Sequence, residues 1–408
     1  MPPDNIIPLA GGIFHGRACP ARCLIMSDEV LCIDIGTTSL KAALLTSSGE
    51  VVSFCSIPIE ESQNTASLWY GAFFQAVLEL KKQCAQNNLF AGPVYKIVIS
   101  GNGPTVVSDC GYTVFWNEDL SDVKLPDDEQ VRKSLFIPKI LALKKRDKKI
   151  YKKSRWIFSG PEYLIYVLTG QAVTILPEER FRPAYWNEEV CRTCGIDFEK
   201  LPPFVGIGNV CGTLFKEIAE ELTCCGEGLR FSPDCQVIAG GPDFIVALIG
   251  TGTLHAGRLC DRCGSSEGLN FCTDKVLHGQ GLRILPSVIP GLWNASYLIP
   301  DSGELSEEER LTEVERGINC LRQAAREAGV DFPDEMAVTG GQTNDQLLLK
   351  EKAHRLNMKI LRPKNNFAHC ELLGDLCAGV LGVGYFKNLQ EAADFIVKLE
   401  SYTGDATL

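Results

Sequence analysis

The stretch Leu31–Glu50, "LCIDIGTTSLKAALLTSSGE", ends one apolar run on Asp34, opens into Gly36-Thr37-Thr38-Ser39, and resumes an apolar run through Lys41. Two β-type runs, "VLCIDIG" and "LKAALLT", are joined by that small-residue turn, and "GEVVSFCSIPI" continues as a third, which reads as a meander at the front of a sheet. Glycine lets the backbone approach a ligand closely, and successive small residues expose N–H groups as an anion nest. The hydroxyls of Thr37, Thr38 and Ser39 can donate to phosphate oxygens, and Asp34 can hold a hydrated magnesium ion beside them. Taken alone, "GTTS" closes a hairpin equally well, as "SSG" at 47–49 does.

The design recurs along the chain. "YKIVISGNG" is a buried strand running into a glycine-rich loop, "DCQVIAGGPD" repeats it at 234–243, and "MAVTGGQTND" repeats it at 336–345. Between them, "ASLWYGAFFQAVLELKKQCAQ" has the apolar spacing of an amphipathic helix, and "SEEERLTEVERGINCLRQAAREAG" reads as a second. Strands ending in glycine loops and alternating with helices predict a mixed α/β protein whose ligands lie beyond the strand ends.

At 408 residues with 45% hydrophobic positions, the chain can bury a large core, and its length suggests two domains. The net charge of -11 argues against a nucleic-acid or anionic-membrane binder, because no broad basic surface neutralises phosphates. The one basic run, "KKRDKKIYKKSR" from Lys144 to Arg155, reads as a solvated helix face. Eighteen cysteines include two Cys-x-x-Cys pairs, Cys191 with Cys194 and Cys260 with Cys263. Their separation far exceeds that of a compact zinc ribbon, and most cysteines lie among aliphatic residues, so reduced, cytoplasmic thiols are expected. No uninterrupted apolar run is long enough for an ordinary membrane helix. The first residues lack a charged start and are broken by Pro8, Gly11 and Gly12, so residues 1–28 read as a flexible tail or a misassigned start, with Met26 a natural beginning.

"DIGTTSLKA" resembles the first phosphate motif of the FGGY carbohydrate kinases, in the actin and sugar-kinase superfamily, and the likeness recurs in that family's order. "ISGNGPTVV", "FWNED" and "FIPKILALKK" resemble its substrate-side segments, "GGPDFIVALIGTG" the pattern presenting the catalytic aspartate, and "CGSSEGLNF" the second phosphate motif. "VTGGQTNDQLLLKEKA" resembles the adenosine motif, and "CELLGDLCAGVLGVG" is similar to the helix after it. The resemblance implies two ribonuclease H-like α/β domains, each with a five-stranded mixed sheet, and a cleft between them. The sugar-side domain is expected over 29–252 and a shortened adenosine-side domain over 253–408.

The resemblance also implies roles. Asp243 matches the general base that takes the proton of the sugar hydroxyl as it attacks the γ-phosphate of MgATP. Asp34 matches the aspartate that holds magnesium through water, and Gly36, Thr37, Thr38, Ser39 and Lys41 match residues around the β- and γ-phosphates. Gly264, Ser265 and Ser266 stand for the family's Gly-Thr-Ser, Gly340 and Gly341 for the pair over which adenosine lies, and Asn344 is a further nucleotide candidate. Asn102, Gly103, Pro104 and Trp116 match the sugar-facing loop and ring, with Asp243 also touching substrate.

Phe244 stands where many members carry a polar substrate contact, Ala142 replaces a tryptophan, His354 replaces an aspartate, and the segment between Asp243 and Gly340 is short. Two readings follow. One is a kinase acting on a small sugar or polyol, with a ketopentose such as xylulose favoured by "SGNGP" and "GLWNASYLIPDSG". The other is a weak or inactive relative that binds nucleotide or sugar and regulates something else. A homodimer is compatible with either.

Overall fold

Six of the seven residues of Glu29–Ile35 are buried, because this strand, β1, has a partner on each side within its sheet. In the computed structural model, residues 29–60, 65–87, 89, 92–264, 266–364 and 367–402 are described; the expected tail and Ser265 lie outside them. β1 continues into β2 (Ser39–Thr46) and β3 (Val51–Pro58) as an antiparallel meander. On its other side it pairs in parallel with β4 (Pro93–Gly101). Two later strands, β5 (Val210–Thr213) and β6 (Arg230–Pro242), complete the order β5-β6-β4-β1-β2-β3, with β6 parallel to β4 and β5 an antiparallel edge.

The second sheet repeats this pattern. Its strands are β7 (Leu259–Cys263), β8 (Glu267–Thr273), β9 (Leu282–Pro286), β10 (Trp293–Ile299), β11 (Glu335–Thr339), β12 (Lys359–Pro363) and β13 (Leu399–Ser401). They run in the order β9-β10-β8-β7-β11-β12-β13. In both sheets a three-stranded antiparallel meander is joined to two parallel strands: β3-β2-β1-β4-β6 in one, β10-β8-β7-β11-β12 in the other. This is the ribonuclease H-like arrangement. The expectation of five strands per sheet is corrected to six and seven, because edge strands β5, β9 and β13 extend the shared five.

Helix α1 (Thr65–Asn87) lays Trp69, Phe73, Ala76, Val77, Leu80 and Cys84 as one buried stripe on the first sheet. α2 (Asp243–Gly250) begins at the residue after β6. α3 (Glu307–Glu327) opens with a capping box between Ser306 and Glu309, and α4 (Gln346–Leu356) is capped by Asp345. α5 (Cys370–Gly382) and α6 (Leu389–Ile396) return to the first sheet and share its apolar core. The strands of the first sheet end at Pro242 and those of the second begin at Leu259, while α5 and α6 pack on the first sheet. α5 presses on α2 so closely that a Cβ at Gly374 would stand 1.9 Å from the carbonyl oxygen of Val246. The basic run is solvated and locally paired: Lys145 and Arg146 both reach Asp122.

Candidate active site at the strand ends

Ile35 pairs with Gly101, and Gly101 with Pro242, so the C-terminal ends of β1, β4 and β6 lie side by side. The turn 36–39, the loop 102–104 and the start of α2 at Asp243 therefore meet on one edge. The Gly36 N–H donates to the Ser39 carbonyl at 2.8 Å, so the small-residue stretch does close the β1–β2 hairpin, and the loop that closes it faces the strand-end cleft. Asp34 and Lys41 are cross-strand partners; Nζ donates to Oδ2 at 3.0 Å, and the Asp34 carboxylate holds the ammonium above the ordinary lysine range. Asp34 is 2% exposed, and its Oδ1 has no hydrogen-bond partner among the described residues. A buried carboxylate oxygen left open fits the water-mediated magnesium role.

Thr37 receives Trp116 and Asn102, the residues expected to face the sugar. Its Oγ1 accepts from Trp116 Nε1 at 3.2 Å and from Asn102 Nδ2 at 3.4 Å. Asn102 is buried with Oδ1 unpartnered among the described residues, while Trp116 is 37% exposed. Arg146 fixes the Trp116 loop by donating to the Glu118 carboxylate and the Asp119 carbonyl. Gly103 and Pro104 are half-buried beside Asn102. Phe244 packs toward the apolar cluster of Leu248, Cys260, Ala337 and Leu361.

Asp243 is the first residue of α2. Its Oδ1 accepts from the Phe244 N–H at 2.6 Å, and its Oδ2 lies 3.9 Å from Arg262 Nη2. Burial raises its pKa; Arg262 opposes that, and the Asp34 charge adds to it. Four groups around it escaped the sequence reading. Arg262 sits on β7. Glu371 in the first turn of α5 has its pKa raised by burial, with Lys41 opposing. His369 stacks on Phe54 at 4.6 Å and is pushed to about 4 by burial and by Lys41, so it stays neutral. Asp375 accepts from Ser100 Oγ at 2.8 Å and is held well above the carboxylate range by burial. The signal was present in alternation: in "LCDRCGSS" the cysteine spacing drew attention, but strand periodicity puts Arg262 opposite Asp261 and Cys263.

The second small-residue turn, with Gly264 and Ser266, joins β7 to β8; Ser265 lies outside the described residues. Under it Lys352 of α4 is fully buried, donating to Asp261 Oδ2 at 2.6 Å, Glu267 Oε1 at 2.8 Å and Cys263 Sγ at 3.5 Å. Glu267 also accepts from Ser302 at 2.7 Å and Gln342 at 3.4 Å, which ties the adenosine-motif loop to the hairpin. Burial and the Glu267 charge push Asp261 up to about 7; burial also acts to raise Glu267, but Lys352 together with the hydrogen bonds from Ser302 and Asp261 brings its pKa down. Asp261, Cys263 and Glu267 converge like metal ligands, yet the Lys352 ammonium already stands among them. Cys260 and Cys263 face opposite sides of β7, Cys191 and Cys194 lie on a distant helix at Glu188–Cys194, and every described cysteine is free.

Gly340 has φ +98°, and a Cβ there would meet the Cys263 carbonyl oxygen at 2.2 Å; around Gly341 the space is open. Gly340 is thus needed for two loops to touch, and Gly341 leaves room for a ligand. Asn344 is exposed at the end of the turn Gly341–Asn344. Three residues on, Leu347 lines a cavity of about 620 Å³ between α3 and α4, shared with Glu307, Glu308, Leu311, Lys350, Glu351 and His354.

No family model matches the chain. It is similar to the xylulose kinase of Bacillus subtilis (strain 168), at 20% identity over 90% of this chain and 91% of that protein. That alignment spans 467 positions, more than the 408 residues of the chain, so the relative carries insertions. Xylulose kinases of Staphylococcus xylosus and other bacteria match over 50–59% of their length. Among solved structures, ligand-bound xylulose kinase from Lactobacillus acidophilus superposes with TM-score 0.69 at 15% identity, covering 91% of this chain and 93% of that one. Glycerol kinase of Plasmodium falciparum with ADP gives TM-score 0.69 at 14% identity, covering 91% and 92%. At such identities the superpositions establish the fold. No described helix is long and apolar enough to cross a membrane.

Proposed function

We propose that this chain is a carbohydrate kinase of the FGGY type, which transfers the γ-phosphoryl group of MgATP to a hydroxyl of a small ketose, a ketopentose such as xylulose first among them. The observation that carries the reading is the meeting of Asp34, Thr37, Asn102 and Asp243 at three adjacent strand ends, opposite a second small-residue hairpin from the other sheet.

MgATP supplies the activated phosphoryl group and a metal charge that offsets its oxygens. The rest falls to the chain. The open oxygen of Asp34 is suited to hold metal-bound water, and the Lys41 hydrogen bond orients that carboxylate. Thr37, Thr38 and Ser39 offer hydroxyls and backbone N–H groups toward phosphate, with Gly264 and Ser266 doing so from the facing lobe. Gly341 gives the adenosine room, and Asn344 stands at the rim of that turn. Trp116 and Asn102 bind the sugar, and Asp243, with its raised pKa, receives the hydroxyl proton. Positioning and charge neutralisation contribute most of the acceleration in phosphoryl transfer, with the carboxylate orienting the nucleophile. Approach of the two lobes would exclude water and keep ATP from hydrolysis.

Ketopentose is favoured over glycerol by the xylulose kinase relatives and by the segments "SGNGP" (Ser100–Pro104) and "GLWNASYLIPDSG" (Gly291–Gly303). The free thiols of the described residues suit a reducing compartment, the cytoplasm. The test is ADP release with a panel of ketopentoses, ketohexoses, gluconate and glycerol, with mass analysis of the sugar product. A phosphorylated ketopentose is expected; ATP binding without any phosphorylated product would sink the reading.

A further inference from the structure

Arg262 is the cleft-facing residue of β7, on the opposite face from Asp261 and Cys263, which point to Lys352. Its side chain is 25% exposed, and its Nε is buried without a partner. Its nearest carboxylate contact is Asp243 Oδ2 at 3.9 Å, beyond hydrogen-bond range, and the guanidinium makes no hydrogen bond among the described residues. The other cation of the cleft, Lys41, is already engaged by Asp34 at 3.0 Å.

A guanidinium has five donors in a planar fork that matches phosphate oxygens, and a part-buried fork with no hydrogen-bond acceptor is prepared for a ligand that brings them. Its position, on the second lobe but facing the Asp243 carboxylate of the first, is where a phosphoryl group passing between nucleotide and sugar would lie. The family resemblance gives this position no role.

We propose that Arg262 binds the transferring phosphoryl group, acting as an arginine supplied in cis by the second lobe; this rests on the kinase reading above. In the step, the sugar oxygen forms a bond to the γ-phosphorus, and the bond from phosphorus to the β–γ bridging oxygen breaks with its electron pair leaving on ADP. The hydroxyl proton passes to the Asp243 carboxylate. Arg262 keeps all its protons and donates hydrogen bonds to the non-bridging oxygens, whose charge builds as the group transfers. Asp243 is thereby released from its Arg262 contact at the moment it must act as base.

The experiment compares the full-length wild type with Arg262→Gln and Arg262→Lys. Titration calorimetry with MgATP and MgADP is read beside kcat and KM, and thermal unfolding checks the fold of each variant. In Arg262→Gln, affinity for MgATP is expected to fall about 10–100-fold while that for MgADP changes little, because only ATP carries the group Arg262 holds. The turnover number is expected to fall by about a thousandfold or more, with Arg262→Lys recovering part of both losses. Equal loss of ATP and ADP affinity in folded variants, or an unchanged kcat, overturns the inference. A wild type that phosphorylates no sugar removes the kinase reading instead, and the ATP-over-ADP difference still reports on Arg262 directly.

Discussion

Asp34 and Lys41 face each other across the first hairpin, in register as a cross-strand pair and joined Nζ to Oδ2 at 3.0 Å. One Asp34 oxygen is thereby committed and the other left open. Asp34→Asn keeps the shape but loses the charge that attracts metal-bound water. It is expected to raise the Mg²⁺ concentration giving half-maximal rate about 10–100-fold, and to lower Tm as well, because Lys41 loses its buried partner. An unaltered magnesium requirement would remove Asp34 from the metal site.

Trp116 is held to Thr37 by its indole N–H, so the ring proposed to face the sugar and the loop proposed to face phosphate are mechanically linked. Trp116→Phe keeps a ring face but loses that hydrogen bond, a loss of about 1 kcal/mol in positioning. Trp116→Ala loses the face as well. Sugar KM is expected to rise modestly in the first and strongly in the second, with ATP affinity nearly constant; a parallel rise in ATP Kd would argue that Trp116 supports only the loop.

The two glycines of the adenosine motif separate structural from ligand effects. At Gly340, positive φ and the Cys263 carbonyl 2.2 Å from any Cβ make Gly340→Ala a folding lesion, expected to lower Tm clearly. At Gly341 the space is open, so Gly341→Ala should leave Tm within about a degree or two of wild type and act on ATP affinity alone.

Removing Lys352 strands Asp261 and Glu267 in the interior, where both side chains are fully buried. Lys352→Met is expected to cost about 3–5 kcal/mol in urea unfolding. A cost below about 1 kcal/mol would mean that the two carboxylates share a proton or admit water instead.

The acid limb of the rate profile should belong to Asp243. Its pKa is raised by burial, and the base works ionised, so kcat/KM rises with pH through a value above the ordinary carboxylate 3.8. His369, depressed to about 4, is neutral throughout the working range. His369→Gln should therefore leave no limb missing near pH 6.5. The stability linkage of His369 has the opposite direction to a gained ion pair: its neutral form is favoured in the fold, so that contribution is present above pH 6.5 and is lost as pH falls toward 4.

Much of the scaffold was readable from local pattern. "LCIDI", "IVISG" and "VIAGG" are buried on both faces, so continuous apolar runs ending in or beside glycine marked β1, β4 and β6 and the edge where they finish. The run "SEEERLTEVERGINCLRQAAREAG" likewise marked α3, which the structure opens with a capping box at Ser306. What escaped depends on tertiary meeting. Arg262 looked like filler between two cysteines until β7 faced α2, and Lys352 looked like one of many helix lysines until β7 and β8 enclosed it. The edge strands β5, β9 and β13 are short and partly exposed, and nothing in their composition separates them from loops.

The most direct test compares wild type with Asp243→Asn in single-turnover phosphorylation of the best ketose in the panel. The substitution keeps volume and the helix start but cannot accept the proton. The chemical step is expected to slow by about 10²–10⁴-fold while ATP and sugar affinities hold. An Asp243→Asn protein that phosphorylates sugar at the wild-type rate would contradict the account.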